Sequence, residues 1–541
     1  MPPPVLLLLV GLTWLGCGGQ TQDTRQADAE NGRPLHRPVA PASGTTLVFG
    51  RAADSVGLDP ALENDGESFK VCDNLYETLV GYAAGSTAVE PLLARSWEAS
   101  PDRLTWTFHL RSGVRFHDGT PFDAPAMLFS LGRQFCPDHP FHGAGTYKYW
   151  KDMGMDDIVA AMEAPDDSTF VMRLKEPNAT FLSNLAMNFA AAVSPTAVRQ
   201  HGEDFRRRPV GTGPFRFVEW RQDERLVLAR NEDYWGEPAQ LDRLVFRPIQ
   251  ESSVRYLELR RGAIQGLDNL SPEFIAQVRA NPDLQLLTEP GMNVGYLAMN
   301  MDRSPFDNRL VRLAVNHAVN RQSLVDNFYQ GLAVPAKSPV PPTVWGHNGA
   351  LEPYAFDPER ARRLLAEAGL PDGFETELWT MIGARPYMPQ PDKVAQALQA
   401  DLAAVGIRAR LVQLEWGTYL DKVFNGDHEL ALLGWIGDNG DPDNFLYMLL
   451  DKTAAQKPAQ NIAFYRSDEL HEVLVQARRS AAPEERLRLY HRAQEIVHRD
   501  APWVPLVHAT QTAALHRSVR GFRLHPAAIL RFQPVQISRE G

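Results

Sequence analysis

The densest group of chemically useful residues is Gly437-Asp438-Asn439-Gly440-Asp441-Pro442-Asp443-Asn444, in which three carboxylates and two glycines fall within seven positions. Just before it, Leu430 to Ile436 is a hydrophobic run that reads as a buried strand. A strand ending in such a turn can deliver a carboxylate into a crevice, and glycine lets the backbone approach a ligand closely. In a partly dry cleft a carboxylate is a strong receptor for an ammonium group, because charge-assisted hydrogen bonds gain most where water is scarce. The same residues would also suit a polar, solvated turn with no ligand. A calcium loop is disfavoured, since Pro442 and Phe445 occupy positions where the EF-hand pattern needs ligands or its turn glycine.

The other candidates are weaker. His117 has no histidine or thiol at ligand spacing and reads as structural. Cys136, His139 and His142 have metal-like spacing, but Pro137 and Pro140 break any regular element there and no fourth ligand is near. Arg208 to Phe215 resembles a phosphate loop without its Gly-Lys-Ser/Thr ending, so it reads as a tight turn. With no nucleophile elbow, His-Glu-x-x-His or dinucleotide fingerprint, the sequence predicts no enzyme, no metal and no cofactor.

The elements that must position these residues are legible as a mixed pattern. Thr105 to Leu110 alternates strictly, with Trp106, Phe108 and Leu110 on one face. Val114 to Phe116 is expected to be a second strand running into the Asp118-Gly119 turn, and Asp123 caps a helix with Pro125 in its first turn. Strands are also expected at Thr45 to Gly50, Phe215 to Trp220, Leu241 to Phe246, Val294 to Asn300, Thr376 to Met381 and Arg408 to Gln413. Helices are expected at Ser68 to Val80, Ser252 to Arg261, Asn308 to Gln330, Pro358 to Ala368 and Pro391 to Gly406. After residue 290 the strand-helix-strand order predicts α/β.

With 541 residues, the chain is too long for one core and predicts two to four domains. A formal net charge of −11, without a dense basic run, argues against nucleic acid. Three cysteines rule out a disulfide framework and leave one bridge, Cys72 to Cys136, open. The apolar run from Val5 closes at Gly16-Cys17, similar to a lipoprotein signal with Cys17 as the lipidated residue, although no Lys or Arg precedes it. Residues 1–17 are therefore expected to direct export to the periplasm. Residues 18–44 are polar and read as a flexible tether.

Several motifs together resemble the extracytoplasmic solute-binding proteins of peptide ABC importers, family 5. They are Thr105 to Phe122, Gly211-Thr212-Gly213-Pro214-Phe215 and Asp233-Tyr234-Trp235-Gly236, and the resemblance runs over residues 45–541. Later motifs are most similar to the dipeptide-binding branch: Gly291 to Leu297, Pro341 to Gly346, Arg385-Pro386-Tyr387, Glu415-Trp416-Gly417, and the turn from Gly437 to Asn444. The resemblance implies a two-lobed, Venus-flytrap α/β fold with an extra α+β domain inserted in the first lobe. Lobe I would comprise 45–73, 212–290 and 508–541, the insert 74–211, and lobe III 291–507. Hinge strands would lie near Asn293 to Gly295 and Val504 to Val507, and the lobes would close around a solute.

By the same resemblance, Asp438 would hold a peptide's α-ammonium and Arg385 its carboxylate. Trp416 and Trp435 would form pocket walls, with Gly437 and Asn439 as polar contacts, while Asp441, Asp443 and Asn444 would shape the turn. The implied partners are a dipeptide and a membrane permease with its ATPase, the protein itself being a monomer with a lipid anchor if Cys17 is modified. A longer peptide, glutathione, haem, nickel, a peptide sensor without transport, or a peptidase are the competing readings.

Overall fold

The computed structural model describes residues 45–538. The Cys17, signal and tether expectations, and the last three residues of the chain, lie outside them. Ten strands form one continuous path, and two more pair onto it. From one edge the order is Ile407–Leu414, Phe374–Met381, Leu430–Ile436, Asn293–Met299, Trp503–His516, Gly266–Asp268, Thr46–Arg51, Arg243–Pro248, Arg225–Arg230 and Phe215–Arg221.

The path divides in two at Trp503–His516, whose length lets it serve both halves. Its first residues pair with Asn293–Met299, and its last with Leu284–Pro290 and Gly266–Asp268. Each half is thus a lobe with its own sheet, and the fold is two-lobed α/β. One core of Leu47, Phe49, Phe215, Phe246 and Phe532 fills the first lobe, and a second, built on Tyr296, Leu378, Leu432 and Trp503, fills the other. Burial of apolar side chains is the dominant favourable term in each.

The chain crosses between lobes twice, and Asn293 stitches the crossings together. Its side-chain amide donates to the carbonyl of Ala509 at 2.8 Å and accepts from the Ala509 N–H at 2.8 Å, while its own carbonyl meets Nδ1 of His508 at 2.8 Å. A separate antiparallel sheet, ordered Ala94–Ala99, Thr105–Leu110, Thr169–Leu174 and Val159–Asp166, lies within residues 94–174. Trp106, Phe108 and Leu110 are its buried face, as the alternation predicts.

Most expected elements form within two or three residues of their predicted ends; others differ for local reasons. Val114 to Phe116 is not a strand: the Asp118-Gly119 turn closes too soon, with the Phe116 N–H donating to Thr120 O at 2.9 Å and only Arg115 and Pro121 bridging. The helix expected from Asn308 to Gln330 is broken. It ends at Ala318, and Asn320 caps a new start by accepting from the Ser323 N–H; the last turn, Val325–Tyr329, is a π-helix. Cys72 and Cys136 are both free thiols, so the bridge left open by the sequence is absent.

Candidate functional site

Between the lobes lies a cavity of about 1210 Å³, lined by both of them. Its second-lobe wall is built from the end of Leu430–Ile436 and the loop at residues 382–390, which meet because Gly434 has no side chain. A Cβ there would come within 2.2 Å of the Tyr387 ring. Tyr387 is buried, its carbonyl accepts from the Tyr329 hydroxyl at 2.9 Å, and reciprocal backbone bonds between Arg385 and Met388 pinch the loop. Both Arg385 and Asp438 belong to this wall and line the cavity.

Asp438 is held by groups that leave its charge unbalanced. One oxygen accepts from the Tyr149 hydroxyl at 3.0 Å, the other from the Asn444 amide at 3.2 Å, and the Asp438 N–H donates to Asn444 Oδ1 at 3.0 Å. The same Asn444 oxygen takes the Trp435 indole N–H at 2.9 Å. Burial pushes the Asp438 carboxyl up to about 6, with the Asn444 and Tyr149 hydrogen bonds pulling back. Among the described residues no cation pairs with it.

Arg385 is the opposite charge. Its guanidinium lies 3.9 Å from the centroid of the Trp416 ring and donates only to its neighbour's carbonyl, Ala384 O, at 3.0 Å. Trp416 is placed by Glu415, whose carboxylate caps the helix Trp416–Phe424 by accepting from the Gly417 N–H at 2.9 Å. Burial lowers the Arg385 pKa, opposed by Tyr387, Glu415 and Glu67, yet no carboxylate lies within ion-pairing distance among the described residues. A stacked guanidinium keeps its planar fork free for a carboxylate.

The other expected contacts divide. Trp416, Trp435 and Gly437 line the cavity, and Gly437 must be glycine because a Cβ would sit 2.7 Å from the Phe445 ring. Asn439 is not among the residues that line the cavity. Its amide is buried and donates to Asn184 Oδ1 at 3.0 Å, joining the turn to the segment carrying residues 181–185, so its role is structural. Asp441 also turns away, bonded to Arg486 at 2.7 Å and to the Tyr490 hydroxyl at 2.9 Å. Tyr149 is the site residue that sequence reasoning missed. It stands 289 positions from Asp438, and no local pattern marks it.

A histidine-and-cysteine metal site is not formed: His142 Nδ1 is engaged with the carbonyl of Arg133 and His139 with the Phe141 N–H. Among the described residues no group of three or more His, Cys, Asp or Glu is placed to hold a metal ion. His117 is half-buried between Gly211 and Gly213, its two ring nitrogens meeting the Gly213 carbonyl and the Gly211 N–H.

Two lobes on a shared sheet, with a cavity between them whose wall carries Asp438 and Arg385, are the architecture of a solute-binding protein. Comparison with known proteins makes this specific: residues 88–457 match bacterial extracellular solute-binding proteins, family 5, and the chain belongs to that family. It is 37% identical to heme-binding protein A of Haemophilus influenzae, over 95% of this chain and 96% of that one. It is 36% identical to the dipeptide-binding protein of Escherichia coli, over 92% and 96%. The periplasmic binding protein DppA of Helicobacter pylori, in complex with the peptide STSA, superposes with a TM-score of 0.84 at 40% identity, covering 92% of this chain and 98% of that one. A Pseudoalteromonas dipeptide-binding protein in complex with Met-Leu gives 0.85 at 29%, covering 91% and 100%.

Proposed function

We propose that this protein is the exported receptor of an ABC importer, holding a dipeptide as a zwitterion between its lobes and delivering it to a permease and its ATPase. The observation that carries the reading is the pair of uncompensated opposite charges on one cavity wall. A buried charge without a partner costs several kcal/mol, so two of opposite sign favour a solute bearing both. Asp438 receives the α-ammonium and Arg385 the carboxylate. Trp416 backs the guanidinium, while Trp435 and the backbone at Gly437 close the wall. The dipeptide names of the relatives and the Met-Leu complex support the same reading.

Residues 45–73, 212–290 and 508–541 act as lobe I, 74–211 as an insert and 291–507 as lobe III, moving about the crossings at residues 290–293 and 507–510. The protein works as a monomer in the periplasm, with Cys17 as a membrane anchor.

A longer peptide is the second reading, favoured by a cavity larger than the 300–1,000 Å³ of ordinary ligand pockets and by the four-residue peptide held by the Helicobacter relative. Calorimetric titration with Ala-Ala, Ala-Ala-Ala, glutathione and haem tests both. Tight Ala-Ala binding, weakened by about two orders of magnitude in Asp438→Ala and somewhat less in Arg385→Ala, is the expected result. Binding of haem or glutathione with no response to Ala-Ala would overturn the solute assigned here, and hydrolysis of the dipeptide would overturn the receptor role.

A further inference from the structure

We propose that Arg531 is a specificity residue, pairing with an acidic side chain on the first residue of the bound peptide. This rests on the peptide reading above and extends it to the opposite wall. Arg531 lines the same cavity and is half-buried, and it donates a single hydrogen bond, from Nη1 to Tyr82 O at 2.8 Å. Among the described residues it forms no ion pair.

Besides Arg385 on the far wall and the exposed Lys393, the other cations that line the cavity are engaged. Lys70 is shared by Glu67 and Asp268, each at 2.6 Å, and Arg255 is buried with its Nη1 on the carbonyls of Ile249 and Gln250. The carboxylates behind Arg531 are also occupied. Asp73 accepts from the Asn188 amide and the Leu530 N–H; Glu77 accepts from Thr212, Tyr234 and Trp235, each at 2.8 Å. Glu90, on the strand facing Gly81, is exposed and makes no ion pair with Arg531. Arg531 thus keeps most of its planar fork available to a carboxylate from the cavity.

Its place in the fold assigns it to the peptide's first residue. Tyr82 spans the gap: its carbonyl holds Arg531, and its hydroxyl lies 3.5 Å from the carbonyl oxygen of Asp438. Arg531 is therefore linked to the backbone of the proposed ammonium-binding residue through a single tyrosine, from its carbonyl to its hydroxyl. The backbone beneath it is fixed, because Asn74 donates to Leu530 O at 2.8 Å and accepts from the Phe532 N–H at 3.0 Å, clamping both neighbours. A fixed cation so placed distinguishes solutes by charge and by position in the peptide.

The test titrates the protein with Glu-Ala, the isosteric Gln-Ala, Ala-Glu and Ala-Ala. Glu-Ala should bind about tenfold more tightly than Gln-Ala, Ala-Glu should gain nothing over Ala-Ala, and Arg531→Gln should erase the Glu-Ala preference while leaving Ala-Ala within about twofold. Arg531→Lys, which keeps the charge but not the fork, should retain part of the preference. Equal binding of Glu-Ala and Gln-Ala by the unaltered protein would overturn the inference without needing any variant to fold, and so would a preference that survives in Arg531→Gln. Failure of all four peptides to bind would instead sink the dipeptide reading, and this inference with it.

Discussion

The two anchors share a wall but are built differently. Asp438 is set in a network that fixes every polar atom around it: Asn444 binds its N–H, its carboxylate and the Trp435 indole, and Tyr149 reaches it from another part of the chain. Arg385 has a pinned backbone but a side chain held by one stacking contact and one bond to its neighbour's carbonyl. The first is a preorganised receptor whose ordering cost was met on folding; the second is an adjustable one that pays on binding. The end of a solute common to every peptide, its α-ammonium, suits the rigid anchor, and a carboxylate whose position shifts with the residue before it suits the adaptable one.

That contrast can be broken most directly by removing each charge. Asp438→Ala should cost about 3 kcal/mol of dipeptide affinity by calorimetry, since the ammonium is left buried and unpaired. Arg385→Ala should cost less, about 2 kcal/mol, because its end of the cleft is more open to water. Equal losses would mean that both anchors are equally preorganised.

Acidity probes only the rigid anchor. In the free protein the Asp438 carboxyl sits at about 6, and a bound ammonium must lower it, so binding requires the charged form. Affinity should be greatest near pH 7, decline at higher pH as the peptide's own α-ammonium, with an ordinary value of about 8, loses its proton, and fall by up to about tenfold per pH unit below 6, until the liganded pKa is reached. Asp438→Asn should bind weakly at every pH, with no such slope. A slope that persists in that variant would assign the proton elsewhere.

Smaller effects sharpen the picture. Tyr149→Phe should lose about 1.5 kcal/mol of affinity, the lower end of what a hydrogen bond to a charged group is worth, and move the pH midpoint upward because the carboxylate loses a donor. Asn439→Ala should leave affinity within about 0.5 kcal/mol yet lower the melting temperature, because its amide serves the Asn184 contact and not the cavity. A large affinity loss in Asn439→Ala would show that the turn transmits strain to Asp438.

Much of the scaffold was legible locally. Periodicity gave the Thr105–Leu110 strand its buried face, and Asp-Pro-Glu at residues 357–359 marked a helix that begins at Pro358 with Asp357 as its cap. Where local reading failed, a competing local bond decided the outcome. Asn320 captured a helix start inside a continuous apolar stripe, and a tight Asp-Gly turn left Val114 to Phe116 too short to pair. The turn at Gly437 to Asn444 does reach the cavity, through Gly437 and Asp438, but sequence could not tell its carboxylates and amides apart. Asp438 faces the cavity while Asn439 and Asp441 face inward, and which is which depends on partners at Asn184, Arg486 and Tyr490.

By itself the sequence determined the α/β alternation and the family, and it singled out Asp438 and Arg385 as the residues to test, because these reside in short runs whose residue types act on their neighbours. Only the tertiary structure decided that Tyr149 supports Asp438, that Gly434 brings the Arg385 loop onto the same wall, and that Arg531 lines the same cavity with no ion pair among the described residues. Each of those depends on residues tens to hundreds of positions apart meeting at contact distance, and it is packing of the two lobes, not local propensity, that sets such distances.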